Sequence, residues 1–376
     1  MINPDEPGGV RVNVPSDPRR QGGVTRRDML RALGAGLTGL ALGAGPGGAL
    51  WQEVEIPTSA RALQMADPLP SWNEGPRKKG IMNFVAACTD EATTAFVPVA
   101  DRVATFDMDG TLWVEMPLYT ESTFTVERIE AIAPAHPEWA TTEPFATLAK
   151  GDFAEMAKLT EDQWVEVMDA SVAGVTVEDY ETAAAIWLAS AKHPRFDTLY
   201  TNLAYQPMLE VLAYLRANEF HTYIVSGSGQ MFMRSFAQHT FGVPPEQVIG
   251  TGYDTTYSIG KNGAPAITVD DVMLVDDNFG GKPEDIDLFI GKRPVAAFGN
   301  STGDQQMLEW TGAGERATLM MLVHHTDAER EYAYGPAGGL PNTGIGVFTD
   351  ALLQEAIDKS WFVIDMKNDW KTIFGV

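Results

Sequence analysis

The chain has 376 residues, 44% of them hydrophobic and 21% charged, and 27 Lys+Arg against 51 Asp+Glu leave a net charge of −24. At roughly 150 residues per domain this length predicts two domains, or one with a large insertion, and the apolar fraction excludes wholesale disorder, collagen and coiled-coil arrays. So acidic a surface repels phosphate backbones, which argues against a nucleic-acid binder; the single Cys88 excludes an intrachain disulfide, and six scattered histidines argue against structural zinc.

Near the amino terminus, Thr25-Arg26-Arg27-Asp28-Met29-Leu30 precedes an uncharged stretch, residues 32–50, that holds seven glycines and Pro46. Paired arginines before a weakly apolar Gly/Ala run read as a twin-arginine export signal, with Ala60-Arg61-Ala62 as a small-x-small cleavage site. A membrane anchor is the other reading, but a run so rich in glycine makes a poor spanning helix. The expectation is a leader over residues 1–62, the translocation machinery as a partner during export, and a periplasmic or extracellular protein.

Beyond the leader, strands and helices alternate. A β-branched apolar run at 102–106 stops at Asp107. Apolar residues at helical spacing (Met208, Leu209, Val211, Leu212, Leu215) predict a helix over 206–218. It is followed by a strand at 221–225 ending at Ser226-Gly227-Ser228-Gly229. Further strands are expected at 272–275, before an acidic turn and Lys282, and at 294–298, before Gly299-Asn300. A hairpin is expected over 253–265, with its turn at Gly260-Lys261-Asn262-Gly263. The pattern predicts an α/β fold with a mostly parallel sheet covered on both faces, whose ligand crevice lies beyond the carboxyl ends of the strands.

Asp107-Met108-Asp109-Gly110-Thr111 sits just past the first strand. Two carboxylates two residues apart can divide a covalent hydrolysis between a nucleophile and a general acid, then base. Gly110 lets the chain turn and Thr111 can hydrogen-bond the loop. Alone, the segment also reads as a solvated turn. It is no EF-hand, because Leu112-Trp113-Val114 stand where calcium ligands belong.

Phe106-Asp107-Met108-Asp109-Gly110-Thr111-Leu112 resembles motif I of the haloacid dehalogenase superfamily. Ser226 resembles motif II, Lys282 before a helix over 283–290 motif III, and Gly299-Asn300-Ser301-Thr302-Gly303-Asp304 motif IV, all in the family's order. The resemblance covers roughly 72–376 and is nearest to phosphoserine-phosphatase-like members. A bacterial subgroup is also similar in Ser71-Trp72-Asn73 and in the segment from His324-His325 to Arg330.

The resemblance implies a Rossmannoid three-layer core and a Mg²⁺-dependent hydrolase of small phosphate monoesters. Asp107 is then the nucleophile that forms an aspartyl-phosphate, and Asp109 the acid and base whose backbone carbonyl faces the metal. Lys282 supplies positive charge; Ser226, Gly227 and Thr111 hold the phosphoryl group; Asp304 and Asn300 complete the metal site. Asn300 departs from the aspartate usual there, which leaves Asp304 as the main motif IV carboxylate. Because dehalogenases of the superfamily lack the second aspartate, Asp109 favours phosphate esters. Another reaction of the superfamily (phosphoryl transfer or dehalogenation), or a catalytically reduced binding protein, are the alternatives. Substrates compatible with the resemblance include phosphoserine, phosphocholine and a broad acid-phosphatase range.

Between Asp107 and Ser226 lie 118 residues, far more than the roughly 30 of a strand–helix–strand unit. The surplus, 117–204, with helical patterns at 123–132 and 177–191, resembles a helical C1 cap inserted into a core of 63–116 and 205–376. Trp139, Trp164 and Trp187 read as the cap's core, with a cage for a quaternary ammonium such as choline as the other reading. Lys261 rivals Lys282 as the catalytic cation, but a hairpin tip suits that role less. Asp276 and Asp277 read as a solvated turn. On a strand the rings of His324 and His325 face opposite sides, which disfavours a shared metal.

Overall fold

The computed structural model describes residues 67–151, 153–156, 158–260, 263–335 and 347–375. The expected export signal and Lys261 lie outside them. No helix among the described residues is long and apolar enough to cross a membrane.

Seven strands form one sheet: β1 Val103–Phe106, β2 His221–Gly229, β3 Val248–Ile259, β4 Pro265–Val275, β5 Ala296–Gly299, β6 Leu319–His324 and β7 Phe362–Asp365. Their spatial order is β4-β3-β2-β1-β5-β6-β7. Every neighbouring pair is parallel except β3 and β4. This is the expected α/β architecture. All of β1 is buried, and Phe106 stacks on Phe298 of β5 with ring centroids 4.3 Å apart. The apolar, β-branched run is thus the middle of a sheet covered on both faces. Strand order reverses around β1, with β2 on one side and β5 on the other, the point of such a sheet where ligands bind, just past Phe106.

Helix α1 (Pro76–Thr89) starts with Pro76 at its first position, where no backbone donor is lost. Between β1 and β2 come α2 (Thr120–Ile132), α3 (Glu161–Val172), α4 (Val177–Leu188), short helical turns and α5 (Gln206–Ala217). Thr160 and Gln163 close a reciprocal capping box at the start of α3. After β4 comes α6 (Gly281–Phe289), and α7 (Gln305–Gly312) follows β5.

Val126, Ile129, Phe145, Leu148, Met156 and Val167 form an apolar cluster of their own within the inserted residues, whereas Phe124, Tyr180 and Leu188 join the main core. Backbone bonds also tie the insertion to β4, from Gly174 N to Val269 O (2.9 Å) and from Val269 N to Val175 O (2.8 Å). Trp139 and Trp164 pack against the first cluster. Trp187 instead stacks on Tyr200 and donates to Glu127 at 2.8 Å. The three indoles are not gathered into one cage.

Three sequence expectations change. The strand foreseen at 272–275 is the end of the long, antiparallel β4, because the hairpin runs on well beyond its tip. Lys282 lies inside the first turn of α6 rather than before it. Asp276 is exposed as expected, but Asp277 is fully buried: the chain turns inward after β4 to start α6.

Candidate active site

Asp107 is the first residue past β1, and its backbone N–H donates to Phe298 O at 2.9 Å. The next residues fold back on themselves. Leu112 N donates to Met108 O at 2.8 Å and Gly110 N to Trp113 O at 2.9 Å. Gly110 has φ +73, and a Cβ there would stand 2.0 Å from Asn300 Nδ2. Only glycine fits, for reasons of conformation and of space.

This turn aims two buried carboxylates differently. Asp107 Oδ1 accepts from Lys282 Nζ at 2.7 Å, and its Oδ2 from the Thr111 hydroxyl at 3.2 Å. Asp109 Oδ1 accepts from Trp113 Nε1 at 2.7 Å, and its Oδ2 from the Ser228 hydroxyl at 2.6 Å. Burial raises the pKa of Asp109, against the opposing hydrogen bonds of Ser228 and Trp113. Burial, together with the negative charge of Asp304, pushes Asp107 up to about 7 despite Lys282.

The Lys282 ammonium is buried and spends its three hydrogens on three acceptors: Asp107 Oδ1, Asp304 Oδ1 at 2.6 Å and Val225 O at 2.9 Å. Burial works against that charge, but Asp107, Asp304 and Asp277 more than offset it and hold the lysine pKa above its ordinary value. Asp304 Oδ2 accepts from Asn300 N and Ser301 N at 2.9 and 3.1 Å. Both Asp304 oxygens are therefore engaged. The Asn300 amide donates to Glu115 Oε1 at 3.1 Å, which turns its own oxygen toward the Thr111 hydroxyl, 3.3 Å away.

Ser226 is buried in β2, and its hydroxyl accepts from Ser228 N at 3.3 Å. The strand's pairing register with β3 breaks between Ser226 and Gly229. Gly227 is packed so closely that a Cβ would stand 2.1 Å from Asn278 Oδ1. The structure thus gathers Asp107, Asp109, Thr111, Ser226, Gly227, Lys282, Asn300 and Asp304, from four distant stretches, at the carboxyl ends of β1, β2 and β5.

Sequence reasoning missed several neighbours. Ser228, not Ser226, is the hydroxyl on Asp109. Glu115 is buried, and burial, reinforced by the charges of Asp109 and Asp107, raises its pKa well above the carboxylate range. Glu121, from the first turn of α2, accepts from Gly229 N at 2.6 Å and is pushed by burial up to about 7. Asp277 is buried near Lys282 and beside Asp285, and burial raises its pKa well above the ordinary range. The one visible signal was Glu115, a lone charge at the end of an apolar run.

A hard divalent cation fits the chemistry of this hollow. Asp107 and Asp304 share the one buried Lys282, and Asp109, Glu115 and Glu121 are buried close by, an oxygen-rich cluster in which a divalent cation would favour the ionised carboxylates. Asp107 Oδ2 and Asn300 Oδ1 both lie within reach of the one Thr111 hydroxyl, which can donate to only one of them at a time. No group of three or more His, Cys, Asp or Glu among the described residues is arranged to hold an ion, so a cation here would also need neutral oxygens such as that of Asn300.

The family model for haloacid dehalogenase-like hydrolases matches residues 104–309, more than half of the chain. The chain belongs to this family. Among the curated proteins compared, none matches. Among solved structures, a conserved functionally unknown protein from Anaerococcus prevotii DSM 20548 is similar with a TM-score of 0.52 and 15% identity, over 80% of this chain and 94% of its own. A protein of unknown function from Bordetella pertussis Tohama I gives 0.43 and 16%, over 71% and 99%. A phosphoserine phosphohydrolase-like protein from Francisella tularensis subsp. tularensis SCHU S4 gives 0.32 and 16%, over 59% and 87%. The first of these shares the overall fold of this chain.

Proposed function

We propose that this family member is a Mg²⁺-dependent phosphomonoester hydrolase acting on small phosphorylated metabolites through an aspartyl-phosphate at Asp107. The observation that carries the reading is the environment of Asp109. Its carboxyl is buried, held by Ser228 and Trp113, and biased toward its protonated form, as an acid that must protonate a leaving alkoxide has to be. Attack at carbon needs no such acid.

In this reading Asp107 Oδ2 attacks phosphorus, forming the P–O bond of the acyl-phosphate as the ester P–O bond breaks. Asp109 gives its proton to the leaving oxygen and later takes one from the water that attacks the same phosphorus, as the P–O bond to Asp107 breaks and frees the Asp107 carboxylate and inorganic phosphate. Lys282 keeps Asp107 oriented and offsets the repulsion between Asp107 and Asp304. Ser226, the backbone around Gly227, and Thr111 would hold the equatorial oxygens. A bound Mg²⁺, held by Asp107, the Asp109 carbonyl and Asn300, with Asp304 supplying charge nearby, would contribute positive charge against the phosphoryl oxygens. Residues 117–204 would act as a helical cap that excludes water. Phosphoserine-like and phosphocholine-like esters, or a broad acid-phosphatase range, are the proposed substrates. The arginine pair supports export by the twin-arginine route to the periplasm or beyond.

Purified protein incubated with p-nitrophenyl phosphate tests the reaction: release that needs Mg²⁺, stops with EDTA and vanishes in Asp107→Asn supports it, and undiminished release in that variant refutes the nucleophile. Fractionating cells tests the export.

A further inference from the structure

The turn that carries both aspartates is held from behind. His325, one residue past β6, is buried, and its Nε2 lies 2.7 Å from the carbonyl oxygen of Gly110. A carbonyl only accepts, so Nε2 carries a hydrogen. The other ring nitrogen, Nδ1, lies 3.1 Å from Oε2 of the fully buried Glu331. One proton must therefore sit between imidazole and carboxylate, and it locks the ring in the orientation that serves Gly110. Tyr334 stacks on the same ring, centroids 4.2 Å apart.

Glu331 is itself braced. It closes a turn in which its N–H donates to Asp327 O at 3.0 Å. The Arg195 guanidinium binds the carbonyls of Glu331 and Ala328 at 2.7 and 2.9 Å. His324 takes no part: its ring stacks on Phe348. The two rings have separate surroundings, His324 at the end of β6 and His325 just past it.

We propose that His325, braced by Glu331, is a positioning residue that clamps the Gly110 carbonyl and through it keeps the Asp107–Asp109 turn in its working shape. This gives the His324–Arg330 segment a task that sequence alone did not supply. An apolar residue at 325 would fill the space, but would leave the Gly110 carbonyl and Glu331 without their partner. Any drift of Gly110 is transmitted at once, because the Asn300 amide and Glu115 stand against it. Displacements of that kind are costly when two carboxylates must meet one phosphorus.

The kinetic consequence rests on the phosphatase reading, so the test carries a second readout. His325→Gln places an amide donor about where Nε2 stands; His325→Met has similar length and no donor. With p-nitrophenyl phosphate, His325→Met is expected to lower kcat by roughly tenfold to a hundredfold with KM within about threefold, and His325→Gln to recover most of the loss. Wild-type kcat in a folded His325→Met, or equal damage in both variants, overturns the clamp. Should His325→Met not fold, His325→Asn, too short to reach Gly110, takes its place. Should the wild-type protein release no phosphate, the phosphatase reading fails and the clamp is judged by histidine-selective NMR. A His325 Nε2–H protected from exchange sustains it, and a freely exchanging ring overturns it.

Discussion

Lys282 Nζ stands 2.7 Å from Asp107 Oδ1, although 175 positions separate the two residues in the chain. The contact exists because β1 and the start of α6 end at the same edge of the sheet, and it makes one cation answer for several buried carboxylates. Lys282→Met is expected to destabilise the fold by about 3–5 kcal/mol, since removing one member of a buried ion pair strands the others. It should also abolish phosphate release. Urea unfolding at neutral pH measures the first effect; near-wild-type stability would show that Asp107 and Asp304 do not depend on this lysine.

Gly110→Ala faces two obstacles at once. The residue sits at φ +73, and the added methyl would collide with the Asn300 amide. The left-handed backbone alone costs about 1 kcal/mol. We expect a lower melting temperature and loss of most activity, with Gly174→Ala (φ +76, open space around its Cβ) as a control that pays only the backbone cost. Equal melting temperatures in the two variants would contradict the crowding.

Glu121 sets a pH dependence. Its carboxyl titrates near 4.5 when unfolded and about 7 in the fold. Between those values the folded protein holds a proton that the unfolded chain has released. Its contribution to stability is therefore complete below about 4.5 and is lost as pH rises through 7. Glu121→Gln, which keeps an oxygen for the Gly229 N–H, should flatten the fall of melting temperature over this window. The difference at pH 8 is on the order of 3 kcal/mol. An unchanged slope would mean that Glu121 is ionised in the fold.

Mg²⁺ should stabilise the folded protein by giving its buried carboxylates a cation to face. At a hundredfold excess over its dissociation constant a ligand adds about 2.7 kcal/mol. Thermal melts with Mg²⁺ and with EDTA should therefore differ by several degrees in the native protein and by much less in Asp107→Asn. No difference in the native protein would contradict the proposed metal site.

The parts of this site legible in the sequence were those whose chemistry is tied to a strand end. Asp107, Ser226 and Asn300 each follow or end an apolar run, so period and position together placed them. Glu121, Asp277 and His325 escaped because their roles come from tertiary packing: a helix start, a tight inward turn and a ring reaching across from two strands away carry no local signature. The antiparallel β4 was read short for a related reason. The alternation of exposure breaks at Asp271 and Val272, both exposed, near a register shift against β3, so the acidic pair Asp270-Asp271 looked like loop inside what is one strand.

The most direct test is to quench the enzyme in acid during turnover of a phosphate ester radiolabelled at phosphorus, then map the label by proteolysis. Labelled phosphate is expected on the peptide that contains Asp107, discharged by hydroxylamine and absent from Asp107→Asn. Label on any other residue, or full turnover by Asp107→Asn, would contradict it.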